Sequence, residues 1–222
     1  MNVHSITPPS RPMASFRSSD STPDRREQIM RAAMVCFAKH GFHQTSMHDI
    51  SGEAGISVGL IYRYFENKDA VISAMADAHK EEIQELLDRA RQAPSLLEAL
   101  ELFFTAHCCS DERQIECAFV VDLFAEGSRN PGMARLVRDV LDSLIDGVTE
   151  LIAQSPEMRA VRHEMNPRQM AELIFAASRG LLMRDAVDAP GTSDAERRER
   201  QIELVRSLWR LLFRKESESI YA

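Results

Sequence analysis

Residues 45–68 read T-S-M-H-D-I-S-G-E-A-G-I-S-V-G-L-I-Y-R-Y-F-E-N-K, and this stretch decides the fold. Thr45 or Ser46 stands where a helix cap belongs, and Ser46 with Asp49 has the spacing of a capping box, with Asp in place of the usual Glu. Met47, Ile50 and Ala54 face inward from the helix that follows. Gly55 breaks that helix, and Ser57 starts another, which Ile61 and Phe65, four apart, hold to a small core. Ser57, Val58, Gly59, Tyr62, Arg63 and Tyr64 are left on the opposite side. Two short helices joined by a tight turn, the second showing aromatic and basic groups, make a helix-turn-helix, a device for laying one helix in the DNA major groove.

Working outward, Ile29, Ala32, Ala33, Cys36 and Phe37 repeat at helical spacing, and Gly41 ends their helix with Lys39 and His40 in its last turn. A fourth helix opens at Lys68, carries Val71, Ala74, Met75 and Ala78 on one stripe, and is expected to run to Ala93, before Pro94. Five more helices are expected beyond it. The clearest spans Met133 to Ile152, with Leu136, Val137, Val140, Leu141, Leu144 and Val148 on one face. Asn166-Pro167 supplies a cap and a first-turn proline to a helix of 167–187 that is apolar on more than one face. A last helix over 195–214 carries Trp209 and Phe213. Residues 1–22 are Ser/Pro-rich, have little to bury and read as a disordered tail.

Composition agrees with an all-α protein. Apolar residues make up 44% and aromatics 6% of the 222 residues, and period-two β-branched runs are absent. The net charge of −7 is unevenly spread: residues 1–68 hold eight Lys/Arg against six Asp/Glu, and the remainder 19 against 28. A weakly basic N-terminal part on an acidic body fits phosphate contact by one face and argues against nonspecific coating of nucleic acid. No apolar run is long enough to span a bilayer, and no secretory leader is present, so the expectation is a cytoplasmic protein with no membrane association. Cys36, Cys108, Cys109 and Cys117 lack C-x-x-C spacing and read as reduced thiols. There is no nucleophile motif, phosphate loop or paired metal-ligand spacing, so an enzyme, a cofactor and a bound metal are not expected.

The chemistry of the exposed side follows from its residue types. Ser57, Tyr62 and Tyr64 hydroxyls can donate to phosphates, and Lys68 stands at a helix N-terminus, where free N–H groups attract a phosphate. Val58 suits a thymine methyl, Gly59 lets the backbone approach closely, and Arg63 can pair with guanine N7 and O6.

Residues 24–75 resemble the DNA-binding domain of the TetR family of transcriptional regulators. The likeness rests on A-K-H-G-F, then T-S-M-H-D-I, then A-G-I-S-V-G-L-I-Y-R-Y-F-E-N-K-D-A-V, in sequence order. Ser51 stands where Ala is usual, and Tyr64 where His or Tyr is usual. The resemblance implies phosphate contacts at Thr45, Ser46, Tyr62, Tyr64 and Lys68 and base-facing positions at Ser57, Val58, Gly59 and Arg63. It also implies a division into residues 23–68, the DNA-binding domain with a linking helix of about 68–93, and 69–222, a ligand-binding and dimerisation domain.

A regulator of this kind is expected to be a ligand-responsive repressor, bound as a homodimer to a palindromic double-stranded DNA operator. The helices 167–187 and 195–214 are the expected dimer interface, with Trp209 and Phe213 as anchors. The expected effector is a small apolar or amphipathic molecule among the helices of 95–185, lined by Phe103, Phe104, His107, Phe119, Phe124, Met133, Phe175, Arg179 and Met183. Arg179 needs a partner, for which Asp122, Glu126 or an anionic ligand are candidates. A thiol-responsive or metal/haem-responsive regulator using Cys108, Cys109 or His107, and a helical interaction adaptor, are the alternatives.

Overall fold

Asp24 accepts a hydrogen bond from the Arg26 N–H at 2.9 Å and opens α1 (Arg25–His40) in the computed structural model, which describes residues 24–108, 113–160, 165–187 and 193–213. Gly41 closes α1 at φ +77°, a backbone conformation that a side chain would strain. Helix α2 (Met47–Ala54) begins with the Ser46–Asp49 capping box and ends at Gly55 in the left-handed region, φ +66°.

Helix α3 covers Val58–Ile61. The expected coil from Ser57 to Phe65 is thus regular over four residues only. The N–H groups of Arg63 and Tyr64 reach back three residues, to Leu60 and Ile61, so the chain tightens after Ile61. Ile61 and Phe65 are buried as expected, at 0% and 3% exposure.

Helix α4 (Lys68–Ala90) is capped by Asn67 and stops three residues short of Ala93. Gln92 and Ala93 donate to Arg89 and Ala90 in a tight turn, and Pro94 follows. Beyond it come α5 (Leu96–Cys108), α6 (Arg113–Gly127), α7 (Pro131–Gln154), α8 (Pro156–Ala160), α9 (Pro167–Val187) and α10 (Asp194–Leu212). The described residues therefore hold six helices after Pro94, where five were expected. The extra one, α8, is a five-residue helix capped by Ser155 and too short to show a period. No strand occurs among the described residues.

Two apolar cores share α4. The first joins α1, α2, Ile61, Phe65 and Val71–Met75, and is closed by Phe119 from α6 and Met133 from α7. The second joins Ile83 and Leu87 of α4 to Leu100, Phe103 and Phe104 of α5, Leu144 and Ile152 of α7, Met170 and Ile174 of α9, and Val205 of α10. At Gly147 a methyl group would stand only 2.1 Å from a Leu87 methyl, so the absent side chain is what lets α7 cross α4 there. The continuous α4 is the strut between the two cores.

Candidate nucleic-acid interface and cavity

The turn after α3 presents Tyr62 and Tyr64 to solvent, 55% and 38% exposed, in a molecule that buries most large apolar side chains. Arg63, Ser57 and Gly59 are exposed beside them, and the space around Gly59 is open. Val58 is half-buried and packs partly on the first core, so less of it reaches outward than its position suggested. Ser57 accepts from the Leu60 N–H at 3.3 Å, which leaves its O–H free to donate. Five of these six residues are exposed, on either side of the buried Ile61.

Three residues expected at phosphates are placed differently. Thr45 is 2% exposed, and its hydroxyl donates to the Gly41 carbonyl at 2.9 Å and the Cys36 carbonyl at 3.2 Å. It staples the end of α1 to the start of α2, and its hydroxyl faces inward. Ser46 is exposed, but its hydroxyl donates to Asp49 Oδ2 at 2.6 Å and accepts from the Asp49 N–H. Hydrogen bonds from the Ser46 side chain and backbone hold the Asp49 carboxyl below its usual range, so a negative charge sits beside Ser46. Lys68 folds back, donating to the Phe42 carbonyl at 2.6 Å and the His43 carbonyl at 3.4 Å, with its ammonium 4.6 Å from the centre of the Phe42 ring. One ammonium hydrogen is left for another acceptor.

A cavity of about 100 Å³ lies where α1, α4, α6, α7 and α9 meet. Of the residues expected to line it, Phe119, Phe124 and Arg179 do. Phe103 and Phe104, at 0% and 1% exposure, are the centre of the second core and touch each other edge to face. Met133 belongs to the first core, and Met183 packs against Cys117, Val120 and Leu182. Phe175 stands just behind the wall, with the Arg179 guanidinium 4.8 Å from its ring centre and 5.3 Å from that of Phe124. Neither Asp122 nor Glu126 is the partner of Arg179. Asp122 accepts from the Phe42 N–H, and Glu126 pairs with His43 and Arg129.

The rest of the wall was missed. It comprises Met34 of α1, Ile72, Met75, Ala76, Ala78, His79 and Glu82 of α4, Glu116, Val120 and Leu123 of α6, and Leu136, Val137, Val140 and Leu141 of α7. The signal existed in α4 and α7. Ile72 and Ala76 flank the Val71–Met75 stripe, so α4 carries more apolar positions than one packing face needs. The stripe of α7 reads as plain core from spacing alone. The wall is apolar except for His79, Glu82, Glu116 and Arg179.

Cys36 and Cys117 are buried thiols in no disulfide. Burial, then the nearby Glu53 and Asp49 carboxylates, push the Cys36 thiol above its usual value, so it is a poor nucleophile. The side chains of His107 and Cys108, and all of Cys109, lie outside the described residues, as does the tail of 1–22. Among the described residues no three His, Cys, Asp or Glu side chains gather as metal ligands, and no helix is long and apolar enough to cross a membrane.

The expected interface helices keep an uncovered face. Phe213 is buried in the second core and stacks on Trp209 at 4.3 Å, so these two rings pack at home. Leu173 of α9 and Leu211 of α10 are the large apolar side chains left out, at 42% and 75% exposure. Ala176 and Gly180 continue the Leu173 stripe at helical spacing.

Comparison with known proteins agrees with this geometry. Residues 29–75 match the family model described as bacterial regulatory proteins, tetR family, and residues 94–213 match that of the BetI-type transcriptional repressor C-terminal domain. The HTH-type transcriptional regulator UidR of Escherichia coli (strain K12) is 26% identical over 164 residues, which cover 71% of this chain and 79% of that protein. Among solved structures, Salmonella enterica GusR superposes with a TM-score of 0.66 at 27% identity, over 85% of this chain and 95% of its own. The fatty acid degradation regulator FadR from Bacillus halodurans shares the fold, with a TM-score of 0.69 at 21% identity over 90% of this chain and all of its own.

Proposed function

This chain belongs to the TetR family of transcriptional regulators, and we propose that it is a ligand-responsive repressor acting as a homodimer on a palindromic operator. Members of the family are DNA-binding transcriptional regulators and not enzymes. Repression is supported by the match of residues 94–213 to a repressor C-terminal domain. Tyr62, Tyr64 and Ser57 would hold phosphates, Arg63 and Gly59 would face base edges, and Val58 would touch a thymine methyl at the groove wall. The N-terminus of α4 adds free backbone N–H groups to the phosphate grip. The protein would work in the cytoplasm, beside its DNA.

One short helix reads only a few base pairs. Two copies related by a two-fold axis read both halves of a palindrome, about one helical turn apart. Helices α9 and α10, through the faces carrying Leu173 and Leu211, are the surfaces that would pair as a four-helix bundle.

The single observation that carries ligand control is the cavity's position. Met34 of α1 and Ile72 and Met75 of α4 belong both to its wall and to the core of the DNA-binding helices. A ligand that enlarges the cavity must move those helices, because a packed core does not deform continuously. Such a ligand is a small apolar or amphipathic molecule. The change in operator affinity equals its differential affinity for the two arrangements, typically about 1–3 kcal/mol. The test is selection of bound sequences from a random DNA pool, followed by titration of the winner by fluorescence anisotropy. A palindrome bound by two chains is the expected result. Enrichment of no sequence would overturn the assignment.

A further inference from the structure

Helix α6 does two things at once. Phe119, Val120, Leu123 and Phe124 line the cavity, and Asp122 and Glu126, interleaved with them, clasp the turn between α1 and α2. Asp122 Oδ2 accepts from the Phe42 backbone N–H at 2.8 Å. Glu126 Oε2 lies 2.7 Å from His43 Nε2, although Glu126 itself is only 1% exposed and its Oε1 has no hydrogen-bond partner. Asp122 and Glu126 are four residues apart, so both project from one side of α6. They cross 80 positions of sequence and more to reach this turn.

A buried carboxylate beside an exposed imidazole is an arrangement that ordinary packing disfavours, because desolvating the acid is costly unless a specific contact offsets it. Here the contacts land on the segment that sets the angle between α1 and α2. Lys68 grips the same segment from the start of α4, through the Phe42 and His43 carbonyls. The turn is therefore held by α4 and α6, both of which also line the cavity, and α6 holds it through two carboxylates.

We propose that Asp122 and Glu126 are positioning residues for DNA binding, forming a latch through which α6 reports the state of the cavity to the α1–α2 turn. The latch role in the absence of ligand stands by itself. The reporting role rests on the cavity reading given above. With the latch closed, the α1–α2 angle and the placement of α3 are those that match a half-site. A shift of α6 by a fraction of a helical turn breaks the 2.8 Å contact to Phe42 and releases the turn.

The experiment uses the full chain and its selected operator, with no effector required. Asp122→Ala combined with Glu126→Leu removes the latch; Asp122→Asn keeps an oxygen that accepts from Phe42. Val140→Phe on α7 fills the cavity from the wall facing α6. Operator affinity is read by anisotropy, backbone amide exchange at residues 41–46 by mass spectrometry, and folding by circular dichroism and thermal melting. The latch-free protein should remain folded, bind at least about fivefold more weakly and exchange faster at 41–46, while Asp122→Asn stays close to the starting protein. Val140→Phe should weaken binding by about fivefold or more when the latch is present and by less than about twofold when it is absent. A latch-free protein with unchanged affinity and exchange overturns the latch outright. Equal effects of Val140→Phe in both backgrounds leave the cavity reading standing and overturn the reporting role. No effect of Val140→Phe in either background overturns the cavity reading, and the reporting role with it, while the exchange data still decide the positioning role.

Discussion

The Lys68 ammonium donates to the Phe42 carbonyl at 2.6 Å while lying 4.6 Å from the centre of the Phe42 ring. The side chain that the helix-turn-helix pattern assigns to phosphate thus also ties the start of α4 to the α1–α2 turn. Lys68→Met keeps the apolar stem and removes the donor. It is expected to lower stability by about 1.5–3 kcal/mol, the range for a hydrogen bond with a charged donor, as well as weakening DNA binding. Urea unfolding checks the first effect, and an unchanged midpoint would show that the tie holds nothing.

Tyr62 and Arg63 test the DNA face. Both are exposed and sit in no core, so their loss should leave folding intact. Tyr62→Ala is expected to weaken binding to all sequences alike. Arg63→Ala is expected to cost about 1–3 kcal/mol at one base position and relax the preference there. Repeating the sequence selection with each variant reads both outcomes. A Tyr62→Ala protein of undiminished affinity would remove that side chain from the interface.

Thr45 has the opposite signature. Its buried hydroxyl serves the Cys36 and Gly41 carbonyls. Thr45→Val preserves shape and deletes the donor, so it should destabilise the fold by about 0.5–1.5 kcal/mol through the lost buried side-chain hydrogen bonds. If instead DNA affinity drops while the melting temperature holds, the hydroxyl faces phosphate after all.

Leu173→Glu together with Leu211→Glu should convert a dimer into monomers. Both side chains are exposed in the single chain, so the charge is tolerated in the monomer and costly only when a partner covers it. Sedimentation equilibrium measures this directly. A doubly substituted protein that stays dimeric would place the interface elsewhere.

Acid should loosen two helix starts. Hydrogen bonds from Ser46 lower the Asp49 carboxyl, and hydrogen bonds from Ser193 lower that of Glu196. A carboxyl whose value is lowered on folding adds stability that is fully present above its unfolded value and is lost as pH falls through the folded one. The two capping boxes should therefore contribute at neutral pH and fade below the ordinary carboxylate range. Ser46→Ala and Ser193→Ala should each lower the melting temperature at pH 7, and by less in strong acid, where only the bond from the third-residue N–H to the serine oxygen is left to lose. Thermal melts across that range test the sign, and a cost that grows on acidification would contradict it.

Much of the architecture was legible because helix boundaries are written locally. Ser46 caps α2 as its capping box implies, and Gly41 and Gly55 take the positive φ that ends a helix, whereas Asn130 caps an α7 that begins at Pro131, two residues before the expected Met133. Ile61 and Phe65 are buried and Tyr62 exposed because a four-residue spacing assigns faces unaided. Helix α8 escaped because five residues show no period, and the overlong estimate of α4 came from reading Pro94 as the stop when the backbone had already tightened.

The chain's order of residues determined, without help, that this is a helical DNA-binding regulator, since caps, stripes and the pattern from Thr45 to Lys68 depend only on near neighbours. Which apolar side chains fill a core and which bound a cavity was decided by the fold. Phe103 and Val140 are equally apolar, and only the meeting of α1, α4, α6, α7 and α9 leaves space beside one and none beside the other. The grip of Asp122 on Phe42 was likewise invisible, because nothing local marks a contact between residues 80 positions apart.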